Sequence, residues 1–278
     1  MGFIRQFSKK LVPFWMGVKL RGGYQKFLGV VYKGDKYYCP YCNHSFSKML
    51  SDGFDLPVIY EKHIVGSGKR TNCTCPRCFS KDRDRLIYLY LKYKTSVFST
   101  HHKILHIAPE AWMKELFQRT PLIDYTCGVK DMKDMTYYYD RMTYEMDITY
   151  LQMRDNLYDV VICNHVLEHV ANDIQAMSEI YRVLKPGGWA ILQIPISLVI
   201  PKTFEDFDII SKRGREEHFG QFDHVRIYGS DFFTRLQSVG FQTERHHPVK
   251  DNWNIPDLEK YALNNEEELF IARKPFKL

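Results

Sequence analysis

From Lys103 to Lys274 the chain alternates between two hydrophobic patterns, and that alternation restricts the fold more than any other feature. "KILHIA" is a short apolar run of strand type. "PEAWMKELFQRT" follows with apolar residues at helical spacing and Pro109 near the first turn, where a missing N–H costs little. "LIDYTCGV" and "YEMDIT" read as a strand and a short strand, and "YDVVICNHV" as a buried strand. "NDIQAMSEIYRVLK" is a helix that Pro186-Gly187-Gly188 stops. "WAILQIPI" is again a buried strand, and "GSDFFTRLQSVG" a helix with Gly240 past its end. Strands separated by helices imply right-handed crossovers and a mainly parallel sheet. "FQTERHH" and "ELFIARK" come last and are expected to pair antiparallel at an edge. The expected class is α/β, built from residues 101–278.

Ahead of this region, residues 37–80 are rich in Cys, Gly, Ser and Asn and leave little room for a hydrophobic core. Five of the seven cysteines lie between residues 39 and 78. An odd total with paired C-x-x-C spacing argues for a metal site in a reducing compartment rather than for disulfides. Cys39-Pro-Tyr-Cys42 and Cys75-Pro-Arg-Cys78 can each present two thiolates from one tight turn, and two such knuckles close a tetrahedral Zn²⁺ site. The 32 residues between the pairs require a long hairpin or loop. Four thiolates leave no open coordination position, so the expected zinc is structural and substitutes for a core in this zinc-ribbon-like module. Cys73 is expected to be a spare, with His44 and His63 as secondary ligand candidates. Cys127 and Cys163 are expected in the sheet core. Ser80 is the expected N-cap of a linking helix, "KDRDRLIYLYLKYK", within residues 81–100.

The net charge of +6 conceals an asymmetry: residues 1–100 hold 18 Lys/Arg against 6 Asp/Glu, whereas residues 101–278 hold 21 against 27. Such a basic front suggests an anionic partner, either RNA or a membrane surface, unless it is a solvated face with no partner. Within residues 1–36, Phe3, Ile4, Phe7, Leu11, Phe14 and Trp15 interleave with Arg5, Lys9, Lys10 and Lys19, as in a basic amphipathic segment. That segment would either lie on an anionic membrane or pack its aromatic face on the protein body. Its apolar core "LVPFWMGV" is short, contains Pro13 and precedes no small-x-small cleavage site, so it is expected to be retained. No run approaches the ~18 apolar residues of a membrane span. The expected location is cytoplasmic, with peripheral contact at the inner membrane face as a further option.

"YDVVICNHVLEHVANDIQAMSEIYRVLKPGGWAILQIPI", residues 158–196, resembles the class I S-adenosylmethionine-dependent methyltransferases across strand four, the next helix, the "LKPGG" turn and strand five. "RVLKPGGWAIL" is specific to that family, and "GSDFFTRLQSVGF" is similar to its last helix, so the resemblance spans most of residues 100–275. The cysteine knuckles followed by "ILHIAPE" resemble a bacterial subgroup of these enzymes. The resemblance implies a Rossmann-like methyltransferase sheet and S-adenosylmethionine as cofactor. It places the first strand's usual acid on His106 and the glycine positions on Ala108, Glu110 and Trp112, so none of the familiar residues is present. Glycine there allows positive φ and close approach to the cofactor. Ala108 is the smallest substitute, and Glu110, at a helix start, can accept a hydrogen bond from the cationic methionine part. The ribose-binding acid falls on Val129, with Asp131 two positions later. Asp147 and Ile148 match the element beside the adenine, while Asn164 and His165 fall where family members line the sulfonium and the acceptor. The alternative for Asp147 and Asn164 is loop capping; His106 is expected to be a packed core histidine.

Methyl transfer asks a protein to hold a nucleophile near the sulfonium and, for a hydroxyl, to remove its proton. His165, Glu168, His169 and His224 are the candidate bases. His165 is best placed, directly after the strand whose C-terminal end faces the cleft. Residues 197–229 exceed an ordinary βα loop and cluster His218, Gln221, Asp223, His224 and Arg226. This insertion would overhang the cleft as a lid, with Asp223 and His224 orienting or deprotonating the acceptor and Arg226 holding an anion. The alternative is a polar loop with one buried salt bridge. The expected function is methyl transfer to a small-molecule or glycan-type acceptor, with His165, His224 and Glu168 as catalytic residues. One alternative is an RNA methyltransferase docking through Lys9, Lys10, Lys69 and Arg70, although the Asn/Asp-Pro-Pro-Tyr/Phe motif of base N-methylation is missing. Another is a non-catalytic interaction protein with a degenerate cofactor pocket, which the intact 158–196 region opposes.

Overall fold

A computed structural model describes residues 14–131 and 142–276, with residues 14–19 as backbone alone. Of the amphipathic segment expected over residues 1–36, residues 1–13 lie outside the described residues. Helix α1 (Phe14–Val31) opens the described chain, where the sequence predicted no regular element. Strands β1 (Lys33–Cys39) and β2 (His44–Phe46) form an antiparallel hairpin whose turn carries the first knuckle, with Cys39 opposite His44. Strand β3 (Leu50–Asp52) leads to the short helix α2 (Pro57–Glu61) and strand β4 (Ile64–Val65). Strand β5 (Arg70–Thr74) returns antiparallel to β3 and delivers the second knuckle.

Helix α3 (Asp82–Lys94) begins one residue later than a Ser80 cap predicts. Lys81 is the N-cap, and its backbone N–H donates to the Asp84 carboxylate at 2.6 Å. Asp82 and Asp84 in the first turn and Lys92 and Lys94 in the last suit the helix dipole. Ser80 serves the cysteines instead, its hydroxyl lying 3.3 Å from Cys39 Sγ and 3.2 Å from Cys78 Sγ.

The large sheet draws on β6 (His102–Ile107), β7 (Ile123–Val129), β8 (Thr143–Glu145), β9 (Tyr158–Asn164) and β10 (Leu184–Gln193). Helix α4 (Ala111–Gln118) connects β6 to β7, and α5 (Asp173–Val183) connects β9 to β10. Beyond β10 come β11 (Ile196–Ser197), β12 (Phe204–Glu205), α6 (Lys212–Phe219), β13 (Arg226–Ile227) and α7 (Phe232–Val239). Strands β14 (Gln242–His246) and β15 (Leu269–Arg273) close the fold. The strand order is β14-β15-β10-β9-β6-β7-β8. Neighbours from β8 to β10 run parallel, and β15 runs antiparallel to both β10 and β14. The antiparallel strand is therefore inserted one place inside the edge, and β14 takes the edge itself. Among the described residues, no helix is long and apolar enough to cross a membrane.

Period-two alternation decides which residues each face buries. Leu105, Ile107, Val161, Cys163 and Leu192 point to the face covered by α5 and α7, through Met177, Ile180, Phe232 and Leu236. Ile104, Val160, Ile162 and Ile191 point the other way, onto Leu86, Leu89 and Tyr90 of α3 and Met113 and Phe117 of α4. Helix α3 is thus part of the sheet's covering layer as well as a connection. The segment between the knuckles also reaches the chain beyond β10: β4 pairs antiparallel with β11 in a separate two-stranded sheet. Val58, Ile59 and Ile64 form a small core with Phe219 and Ile227.

Candidate functional site

Strands β6 and β9 are neighbours, and the chain leaves them toward opposite sides of the sheet order. That switch point opens a crevice at their C-terminal ends, where ligands bind in open α/β sheets. Ala108, one residue past β6, adopts φ +50°, the left-handed region in which a turn normally prefers glycine. Glu110 is the N-cap of α4, and its side chain is 19 % exposed. Glu110 Oε2 lies 3.1 Å from His106 Nε2, and Oε1 accepts from Asn164 Nδ2 at 3.3 Å. The other nitrogen of His106 sits 3.0 Å from the Tyr125 hydroxyl, so His106 is a buried core residue that also steers Glu110. Burial pushes the Glu110 carboxyl up, but the adjoining His106 outweighs it and holds the group below the usual carboxylate range.

Beyond β9 the chain turns sharply: His165 has φ +53°, and Leu167–His169 form a single 3-10 turn. His165 Nδ1 stands 3.2 Å from Glu168 Oε1, and His169 Nε2 and His224 Nε2 each stand 4.0 Å from the same oxygen. Glu168 is 1 % exposed, yet apart from the His165 contact neither of its oxygens has a well-aligned hydrogen-bond donor. His165 Nε2 and Asn164 Oδ1 are likewise buried without a partner. Folded proteins rarely leave such groups unpaired, so four orphaned atoms on three nearby residues mark a place completed by something else. Burial, assisted by the charge of Arg83, lowers His165 to about 4. Burial also lowers His224. Glu168, pushed up by burial, is brought down to about 2 by the histidines around it.

Arg226 fixes this turn. It is fully buried, with donors engaged by Glu205 at 2.9 Å, the Leu167 carbonyl at 2.8 Å, the Ala171 carbonyl at 2.9 Å and the Val170 carbonyl. The anion-holding role expected of Arg226 is therefore corrected: each of its three nitrogens is engaged by the protein's own backbone or Glu205.

At the cysteine cluster, Cys39, Cys42, Cys75 and Cys78 gather their sulfurs within 4.8 Å of one another. The Cys39–Cys78 and Cys42–Cys75 separations are 3.5 Å and 3.7 Å. A zinc–sulfur bond of about 2.3 Å requires a tetrahedron edge of about 3.8 Å, so the donor set fits zinc closely. Cys73 stays outside this group, with its thiol against the Leu50, Asp52 and Arg70 carbonyls. Tyr41, inside the first knuckle, stacks on Trp112 at a centroid distance of 3.6 Å and donates to the Asp84 carbonyl at 2.6 Å. The module thereby rests on the start of α4, beside the Ala108–Glu110 turn.

Residues 109–192 match a family model described as a methyltransferase domain. That range runs from the turn after β6 almost to the end of β10 and includes β9, one of the two strands at the switch point. The chain thus has a Rossmann-like methyltransferase fold, with the methyltransferase-domain match confined to residues 109–192. An uncharacterized protein of Methanocaldococcus jannaschii is 41 % identical over 95 residues, which are 34 % of this chain and 41 % of that protein. The [4+2]-cyclase SpnF is similar in structure at 17 % identity and a TM-score of 0.49, covering 70 % of this chain and 82 % of that one. A SAM dependent methyltransferase from Archaeoglobus fulgidus is similar at 13 % identity and a TM-score of 0.45, covering 68 % of this chain and 94 % of that one.

Within the methyltransferase domain, the fold gathers Ala108, Glu110 and Asn164 on one side of the crevice. His165, Glu168 and His224 gather on the other, and His169 joins them. Asp147 is not in contact with either set: its carboxylate accepts from the Thr149 amide at 2.8 Å and hydroxyl at 2.7 Å, and pairs with Lys130 at 3.0 Å. Asp131 is exposed two residues past β7, next to residues 132–141, which are not described. Two contributors escaped the sequence. Gly66 lies over the crevice, where an added Cβ would meet the His165 ring at 3.5 Å. Arg83 reaches Glu110 and His165 electrostatically from the start of α3. Neither carries a sequence signal, because a glycine between short strands and one arginine in "KDRDR" have ordinary structural uses.

Proposed function

We propose that the chain transfers a methyl group from S-adenosylmethionine to a small-molecule or glycan-type acceptor. The observation that carries this proposal is the pairing of Glu110 with Asn164 across the ends of β6 and β9, directly beside the His165 cluster. A buried oxygen of Asn164 without a donor and a partly exposed carboxylate held ionised both suit the ammonium end of the cofactor. When bound, the cofactor would supply an electrophilic methyl group, with Glu110 and Asn164 at its methionyl end. Asp131 would serve the ribose end, whereas Asp147, taken up by Thr149 and Lys130, caps its own loop.

His165, with a buried and unpartnered Nε2, is the side chain to receive the acceptor proton, and Glu168 and His224 brace it. A structural zinc ion on Cys39, Cys42, Cys75 and Cys78 would fix Tyr41 against Trp112 and so keep the cofactor turn in place. A small acceptor is favoured over RNA by Arg70, whose guanidinium is occupied by Asp82 at 2.8 and 3.1 Å and by the Ser67 and Gly68 carbonyls. Crystals soaked with the demethylated cofactor provide the test. Density for its amino-acid end between Glu110 and Asn164 is expected; density elsewhere, or none at saturating concentration, overturns the proposal.

A further inference from the structure

The side chains after β9 are arranged for more than proton transfer. His169 turns Nδ1 toward the Asp223 carbonyl at 3.2 Å, and His224 turns Nδ1 toward the Phe219 carbonyl at 3.3 Å. A neutral ring that donates from Nδ1 to a carbonyl keeps its Nε2 lone pair free, and in both residues Nε2 faces Glu168. A backbone carbonyl on the far nitrogen is the usual partner of a metal-ligating histidine. The two rings meet edge to face at 4.7 Å, and Glu168, His169 and His224 bring one ligand atom each within 4.8 Å of the others. Their backbones are tied together as well, since the Val225 amide donates to the Glu168 carbonyl at 3.0 Å. The decisive point is the Glu168 carboxylate, 1 % exposed and aimed into this group, with Oε2 accepting no hydrogen bond and Oε1 meeting only the His165 Nδ1 contact at 3.2 Å. A buried anion without donors is costly unless a cation completes it.

We infer that Glu168, His169 and His224 hold a divalent first-row transition-metal ion. Two imidazoles and one carboxylate form a donor set suited to zinc, iron, cobalt or manganese, and three ligands leave positions open. If the chain is a methyltransferase as proposed above, those positions face the acceptor. The substrate class then narrows to acceptors whose reacting hydroxyl, or an oxygen next to it, can coordinate the metal and become more acidic there.

Cobalt titration of the full-length, zinc-containing protein tests the site, because cobalt in a nitrogen–oxygen site absorbs without the thiolate charge-transfer band of a cysteine site. One equivalent of cobalt should bind with ligand-field absorption and no thiolate band. His169→Ala and His224→Ala should each weaken binding at least about a hundredfold, more than loss of an outer-shell partner does. Wild-type protein that develops no such absorption overturns the inference, as does cobalt binding unchanged in both variants. The wild-type titration decides even if a variant fails to fold. Calorimetry with the demethylated cofactor runs in parallel: cobalt binding without cofactor binding would keep the metal site and sink the methyl-transfer reading, and the reverse result would do the opposite.

Discussion

At Glu110 a carboxylate stands at the position that the sequence resemblance assigns to a glycine. His106, on the preceding strand, meets the Glu110 carboxylate at 3.1 Å. Ala108 bears the positive φ that glycine would otherwise take, a strain of about 1 kcal/mol. A second buried carboxyl, Glu267, tells a different story. Burial and the charge of Asp82 raise it to about 7, and its Oε1 has only the Gln193 side-chain amide, at 3.2 Å. In the unfolded chain the same group ionises near pH 4.5. The folded state therefore binds the proton more tightly, and stability falls as pH rises from about 4.5 to about 7, by up to roughly 3 kcal/mol. Glu267→Gln should remove that slope. Urea unfolding at pH 5 and pH 8 should show the variant gaining about 2 kcal/mol over wild type at the higher pH only; an equal gap at both would refute the assignment.

Among elements, the 3-10 turn after β9 depends on a side chain from another strand. Arg226 on β13 binds three carbonyls of residues 167–171, and burying those without a donor is expensive. Arg226→Met should cost about 3 kcal/mol or more in stability and should disorder the turn that carries Glu168 and His169. Thermal unfolding reads the first effect and loss of the His169 ring environment by NMR the second; a variant of wild-type stability would contradict the account. The elements differ in how plainly the sequence announces them. Strands β6, β9 and β10 are apolar runs with turn residues at their ends, and "LKPGG" punctuates helix and strand, so these were legible. Helix α6 was not, because "KRGREEHF" buries only Phe219 and shows no apolar stripe. Its signs are local: a Ser211 side-chain cap and a left-handed Gly220 at the end. Strand β4 and helix α2 are too short for any period, and their partners β11 and α6 lie more than a hundred residues away. The placement of β15 inside β14 depends on pairing between strands, which periodicity does not encode.

Over the whole molecule, the cysteine module and the methyltransferase domain are fastened at the edge of the crevice. Arg85 of α3 joins them: fully buried, it donates to the carbonyls of Cys73 and Ser80 on one side and Tyr261 and Ala262 on the other. Tyr41 on Trp112 is a second fastening, so the state of the four cysteines should be felt at the cofactor turn. Metal analysis of freshly purified protein should find zinc on this site, and stripping it under reducing conditions should expose Trp112. A red shift in tryptophan emission with weaker cofactor binding is expected; a stripped protein with unchanged emission and affinity would uncouple the module from the site. The central claim is that the altered turn still binds the methyl donor, and isothermal calorimetry with S-adenosylmethionine tests it most directly. The account predicts binding to wild-type protein and at least a tenfold loss, about 1.4 kcal/mol, in Glu110→Ala with the fold intact. No heat with wild-type protein, or an affinity untouched by Glu110→Ala, would contradict it.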